Sequence, residues 1–113
     1  MSQITTHILD TSAGKPVKGV SVILYSLNND SLWEEISSGI TNEDGRIKDL
    51  ITENKILNPG TYKLKFLTGG YYAKNNIRRF YPFVEITFEI ENEEHYHIPL
   101  LLNPFGYTTY RGS

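Results

Sequence analysis

Three imidazoles and the last residues of the chain are where this sequence could do chemistry. It holds His7, His95 and His97, no cysteine, and a closing stretch YTTYRGS with hydroxyls and a guanidinium. In ITTHILD, Ile4, Thr6 and Ile8 fall on one face of an alternating strand, and His7 falls on the other with Thr5 and Leu9. In HYHIPLLL the apolar face is Tyr96, Ile98, Leu100 and Leu102, so His95 and His97 both point away from it. In GYTTYRGS, Tyr107, Thr109, Arg111 and Ser113 share one side. If the first and last strands share a sheet, the histidines and the tail converge. A neutral imidazole can take a proton from water near pH 7. Two imidazoles at i, i+2 on a strand also point together as metal ligands do, and His7 as a third would complete a zinc set with an open position. No Cys, Asp or Glu strengthens that set. A histidine on a strand is also commonly a solvated or hydrogen-bonded bystander, and the residues alone leave these readings open. A nucleophile is not evident: there is no cysteine and no G-x-S-x-G elbow. GVSV and LTGGYY are not phosphate loops, because neither lies between a strand and a well-formed helix.

The elements that must position these groups are short and mostly extended. VEITFEI alternates Val84, Ile86, Phe88 and Ile90 against Glu85, Thr87 and Glu89; TYKLKFL sets Tyr62, Leu64 and Phe66 against Lys63 and Lys65. VSVILYSL is apolar on both faces and predicts a more buried strand. SLWEEISSGI, ITTHILD, HYHIPLLL and GYTTYRG complete a set of about seven or eight. SAGKPVKG, NND, NEDGR and NPG read as turns, where Asn, Asp and Gly allow positive φ or side-chain-to-backbone bonds. LNPFG is short enough for an antiparallel hairpin. GGYYAKNNI is the one helical candidate, of one or two turns. Pro99 cannot donate to a ladder, so an edge or a bulge is expected there. The pattern predicts an all-β, two-sheet sandwich, as one domain over residues 1–113.

Composition excludes several classes. A length of 113 residues suffices for a core without staples. Aromatic residues make up 12 % of the chain, which favours strands. A net charge of −2 with interspersed signs offers nucleic acid no basic field. MSQITTHILD has neither a basic n-region nor an apolar h-region, and no apolar run approaches a membrane span. A cytoplasmic location is therefore expected, with neither a membrane nor nucleic acid as partner.

Three separated motifs, ITTHILDTSAGKPVKGVSVILYSL, TNEDGRI and HYHIPLLLNPFGYTTYRGS, together resemble the 5-hydroxyisourate hydrolases, the enzyme branch of the transthyretin-like family. The similarity covers essentially the whole chain. YRGS is its most specific part, since it separates the hydrolases from the hormone-carrying branch; DTSAGKPVKGV is shared more loosely. The resemblance implies eight strands in two four-stranded sheets, a short helix after the fifth strand, and a homotetramer (a dimer of dimers) with its sites where dimers meet. Outward residues such as His7, His97, Leu9 and Leu101 would then face an interface. It implies hydrolysis of 5-hydroxyisourate to 2-oxo-4-hydroxy-4-carboxy-5-ureidoimidazoline in urate degradation, by water attack on a cyclic amide, with neither cofactor nor metal.

The implied site residues are His7, Arg46, His97 and the tail Tyr110, Arg111, Gly112 and Ser113. His97 is preferred over His7 as general base, and the other imidazole would hold water or donate to the substrate. Arg46 would bind substrate and stabilise the oxyanion. Ser113 would contact substrate or water through its hydroxyl or a terminal carboxylate. Tyr110 and Arg111 would shape the wall of the site, and His95 would be a bystander or stand behind the others. Set against this reading are a transthyretin-type carrier, an inert sandwich module, and a zinc hydrolase on His7, His95 and His97.

Overall fold

The computed structural model describes residues 2–113. Two β-sheets pack face to face. One holds β1 (Ile4–Asp10), β2 (Lys15–Pro16), β5 (Arg46–Ile47), β8 (Tyr96–Asn103) and β9 (Gly106–Thr109). The other runs in the order β4 (Trp33–Ile40), β3 (Ser21–Leu27), β6 (Gly60–Phe66) and β7 (Val84–Ile90). A six-residue helix, α1 (Gly69–Lys74), lies between β6 and β7, where GGYYAKNNI predicts it. The seven longer strands fall where alternation or apolar runs predict them. Nine strands are found among the described residues, in sheets of five and four, because β2 and β5 are additions of two residues each. Both cover the far edge of β1: Leu9 and Asp10 pair with Pro16 and Lys15, and Thr6 and His7 pair with Ile47 and Arg46.

The alternation becomes burial. On β1 the even positions Ile4, Thr6, Ile8 and Asp10 are buried and Thr5, His7 and Leu9 are half-exposed. On β8, Tyr96, Ile98, Leu100 and Leu102 are buried. They meet Val22, Leu24, Leu64, Phe66, Val84 and Ile90 from the other sheet in one core. Hydrophobic burial of this kind contributes about 1.5–3 kcal/mol per large side chain. Asp10 enters the interior with its carboxylate fully used. Ser12 and Ala13 donate backbone N–H groups to it, the Ser12 hydroxyl donates at 2.6 Å, and the Tyr71 hydroxyl donates at 2.7 Å. This ties α1 to the end of β1. On β4, the ladder to β3 shifts register between Leu24 and Tyr25, leaving Ile36 as the extra residue of a bulge; bulges suit an edge strand.

The expectation at Pro99 is corrected. It lies neither at an edge nor at a bulge but inside β8, flanked by β1 and β9. The β8–β9 ladder runs from Asn103–Gly106 to Leu100–Thr109, lapses opposite Pro99, and resumes in the same register at His97–Gly112. The missing N–H thus costs the ladder a local gap and no register. The Thr109 hydroxyl donates to the Pro99 carbonyl at 2.8 Å across it.

Candidate active site

The outer face of the first sheet carries the candidate residues. β1 and β8 run parallel, with Thr5 opposite His97 and His7 opposite Pro99. This register brings residues from the two ends of the chain onto one surface. On the other flank of β1, His7 pairs with Arg46. Arg46 is delivered by the turn that starts at Asn42. The Asn42 side-chain oxygen accepts from the N–H groups of Asp44 and Arg46, and Gly45 donates to the Asn42 carbonyl at 2.9 Å. Gly45 has φ +72°, and a Cβ there would stand 2.5 Å from the Ile8 carbonyl oxygen, so only glycine lets this turn lie against β1.

Between these strands and the tail is a cleft of about 450 Å³, lined by Thr5, Thr6, Arg46, Ile47, Lys48, His95, His97 and Ser113. The His97 ring is fixed on two sides. Its Nδ1 lies 2.8 Å from the Thr5 hydroxyl. Gly112 donates its N–H to the His97 carbonyl at 2.8 Å, and a Cβ on Gly112 would come within 2.7 Å of His97 Cδ2. The absence of a side chain at Gly112 therefore lets the tail cross the imidazole. His95, just before β8, places its Nε2 on the same Thr5 hydroxyl at 2.8 Å. The two rings lie 6.3 Å apart at 24°.

The electrostatics favour neutral imidazoles. His97 is held below the ordinary imidazole range, first by burial and then by the positive fields of Arg46, His7 and His95. His7 is lowered for the same reasons, burial and then Arg46, with the Asp44 backbone and carboxylate pulling the other way. A neutral imidazole beside two cations, Arg46 and Lys48, can accept a proton from water while positive charge faces an oxygen that becomes anionic.

Of the residues singled out from sequence, His97, Arg46 and Ser113 line the cleft. His7 lies beside Arg46 on the same face, near enough for its charge to act on His97. Tyr110 and Arg111 line a different groove, of about 330 Å³, between β7 and the tail. Arg111 stands 4.3 Å over the Tyr96 ring and 3.8 Å from a Glu94 carboxylate oxygen. Among the lining residues that the sequence reading does not name as site residues, two bear on the chemistry. Lys48 follows Arg46 at i+2 and so shares its side, a signal that the turn-like context hid. Thr5 shares the parity of His7, but its link to His97 depends on a register that no local pattern reveals. His95, expected as a bystander or as standing behind the others, lines the cleft and meets the Thr5 hydroxyl. Among the described residues no group of three His, Cys, Asp or Glu side chains is arranged to hold a metal ion, and no helix is long and apolar enough to cross a membrane.

Residues 4–112 match the model of the HIUase/Transthyretin family. A 5-hydroxyisourate hydrolase of Mus musculus is 46 % identical over 114 residues, covering 99 % of this chain and 96 % of the mouse protein. A probable 5-hydroxyisourate hydrolase of Caenorhabditis elegans is 44 % identical over 113 residues, covering 99 % of this chain and 82 % of that one. Among solved structures, sea bream transthyretin in complex with thyroxine superposes with a TM-score of 0.91 at 32 % identity, over 97 % of this chain and 94 % of that one. Klebsiella pneumoniae 5-hydroxyisourate hydrolase gives 0.85 at 35 % identity, over 97 % and 98 %. The chain belongs to the HIUase/Transthyretin family.

Proposed function

We propose that residues 1–113 form one hydrolase domain that opens the ring of 5-hydroxyisourate in urate degradation. The observation that carries this is the convergence of His97, Arg46, Ser113 and neighbouring His7 on one polar face, in a chain 46 % identical to the mouse hydrolase. In this reading water sits against Nε2 of His97, and the lowered imidazole takes its proton as the oxygen attacks the ring carbonyl. His7 holds the water or donates to the substrate. Arg46, with Lys48 beside it, binds the carbonyl-rich ring and faces the developing oxyanion. The Ser113 hydroxyl contacts substrate or water. Gly112 keeps the tail flat on His97, while Tyr110 and Arg111 fix the tail's path beside the cleft.

The cleft is a one-sided recess on a sheet face that also bears the half-exposed Leu9 and Leu101. A homotetramer with this face at the dimer–dimer interface would roof the recess and cover both leucines. A carrier of the transthyretin type is the second reading, favoured by the closeness of the fold to sea bream transthyretin. Its difficulty is the lining, in which imidazoles and cations stand where an apolar aromatic ligand would want hydrocarbon.

The deciding experiment is ultraviolet spectroscopy of 5-hydroxyisourate generated in place by urate oxidase, with and without the protein. Decay well above the spontaneous rate is expected. A well-folded sample that leaves the decay unchanged would overturn the reading and turn attention to carrier ligands.

A further inference from the structure

The Thr5 hydroxyl touches two imidazole nitrogens at once, Nε2 of His95 and Nδ1 of His97, each at 2.8 Å. A hydroxyl has one proton to give and can accept others. With both rings neutral and the Thr5 proton given to one of them, Thr5 donates to one nitrogen and accepts an N–H from the other, so the rings carry opposite protonation at the atoms that face it. A third arrangement, in which Thr5 accepts from both rings, also leaves Nδ1 of His97 protonated. Two arrangements place the hydroxyl proton between the rings. In the first, His97 carries its proton on Nδ1 and donates to Thr5; Thr5 donates to a bare Nε2 on His95. Nε2 of His97, which has no hydrogen-bond partner among the described residues, is then bare. In the second, every bond reverses, His97 carries its proton on Nε2, and it can donate but not act as a base. Thr5 thus links the acid–base character of His97 to the protonation of His95.

We propose that Thr5 is a positioning residue that selects the Nδ1–H tautomer of His97, with His95 as the acceptor that orients the Thr5 hydroxyl. This rests on His97 being the base in the reading above. It assigns a role to His95, whose own position outside β8 leaves it half-exposed at the rim of the cleft and lining a second small pocket beside Gln3 and Glu93. Cross-strand packing supports the arrangement. Thr5 and His97 are direct partners in the parallel ladder, so the hydroxyl is carried to Nδ1 by backbone register rather than by a flexible side chain.

The test is nitrogen-15 NMR of the two imidazoles in the substrate-free protein, together with steady-state kinetics. Wild type should show His97 as a single Nδ1–H tautomer and His95 with a bare Nε2. Thr5→Val keeps the shape of the side chain and removes the hydroxyl. It should leave His97 as a mixture of tautomers and lower kcat by about 10–100-fold, the scale on which the loss of a partner that fixes the tautomer of a metal-bound imidazole is felt, with a much smaller change in KM. Thr5→Ser should restore both. His97 protonated on Nε2 in the wild type would overturn the proposal, and so would a Thr5→Val protein with the tautomer and kcat of wild type. Should Thr5→Val not fold, His95→Ala, at a half-exposed position outside the strands, gives the same spectroscopic readout, and an unchanged His97 spectrum would be equally decisive against it. The spectra are independent of turnover. Full activity in His97→Asn would instead move the base elsewhere, a separate failure of the functional reading.

Discussion

The two faces of β1 and β8 are built from alternate residues of the same two strands, yet they answer to different demands. The inner face, Ile4, Thr6 and Ile8 against Tyr96, Ile98, Leu100 and Leu102, is buried and closes the core. On the outer face, Thr5, His7 and Leu9 stand against His97, Pro99 and Leu101; all but the buried Pro99 are half-exposed, and this is the face proposed to hold the polar chemistry. A shift of one residue separates a position packed in the core from one that faces the cleft side of the sheet. Strand geometry makes this possible, because neighbouring side chains on a strand share backbone bonds but no surroundings.

Substitutions on the two faces should therefore separate activity from stability. The largest effect is expected at His97→Asn, a loss of about 10²–10⁴ in rate as general-base help disappears, with a melting temperature close to wild type. A melting temperature that collapsed along with the rate would mean that His97 belongs to the inner set. Leu100→Ala should do the reverse. Leu100 is fully buried, so truncation should cost about 2–5 kcal/mol and lower the melting temperature by roughly 10 °C or more. The fraction that remains folded should turn over nearly as fast as wild type. Arg46→Ala should reduce the rate by about 10²–10³ if its guanidinium faces the oxyanion, again with little change in melting. Rate and stability measured on the same samples place each variant on one face or the other.

The smallest expected effect is on pH dependence, and it sharpens the comparison because it comes from the outer face alone. His7 and His97 are both lowered from 6.5 in the folded chain. As pH falls below about 6.5 the unfolded chain takes up these protons first, so stability should decline on acidification. Above that pH both forms are neutral and the contribution is complete. The acid limb of activity should also lie below 6.5, since the imidazoles stay neutral until then. Asp10, on the inner face, acts lower still. Burial pushes its carboxyl up, but the hydrogen bonds from Ser12, Tyr71 and Ala13 outweigh this and hold it below 3.8, so its contribution fades only in stronger acid. Thermal melts that became more stable between pH 7 and pH 5.5 would contradict the assignment of two lowered histidines.

Much of this division was legible in the sequence, and the exceptions share a cause. The alternation in ITTHILD and HYHIPLLL assigns His7 and His97 to the outer face because period two is a local property. The same holds for VEITFEI and TYKLKFL, whose inner residues are those found in the core. A strand of two residues has no period to read, so β2 passed for part of a turn, and β5 hid Lys48 beside Arg46. Pro99 misled because its missing donor was assigned to the edge of a sheet, when a lapse of two residues in one ladder is enough. The link from Thr5 to His97 is not legible, because it depends on a parallel register between opposite ends of the chain. Parity does not carry through the tail: Arg111 and Ser113 share one side in the alternation, yet Ser113 lines the cleft while Arg111 lies with Tyr110 in the other groove.

That parallel register has a kinetic side. The strands of the second sheet join as antiparallel neighbours, β4 to β3 to β6 to β7. The bond from Thr5 to His97 instead spans 92 residues, and closing so long a loop carries an entropic cost that slows folding. We expect the second sheet to assemble first and the β1–β8 pair to close last. The one tryptophan, Trp33, lies on β4, so its fluorescence should recover before turnover during refolding from denaturant. Recovery of both in a single phase would argue against this order. A chain interrupted late in folding would then look native to its tryptophan and still have no site.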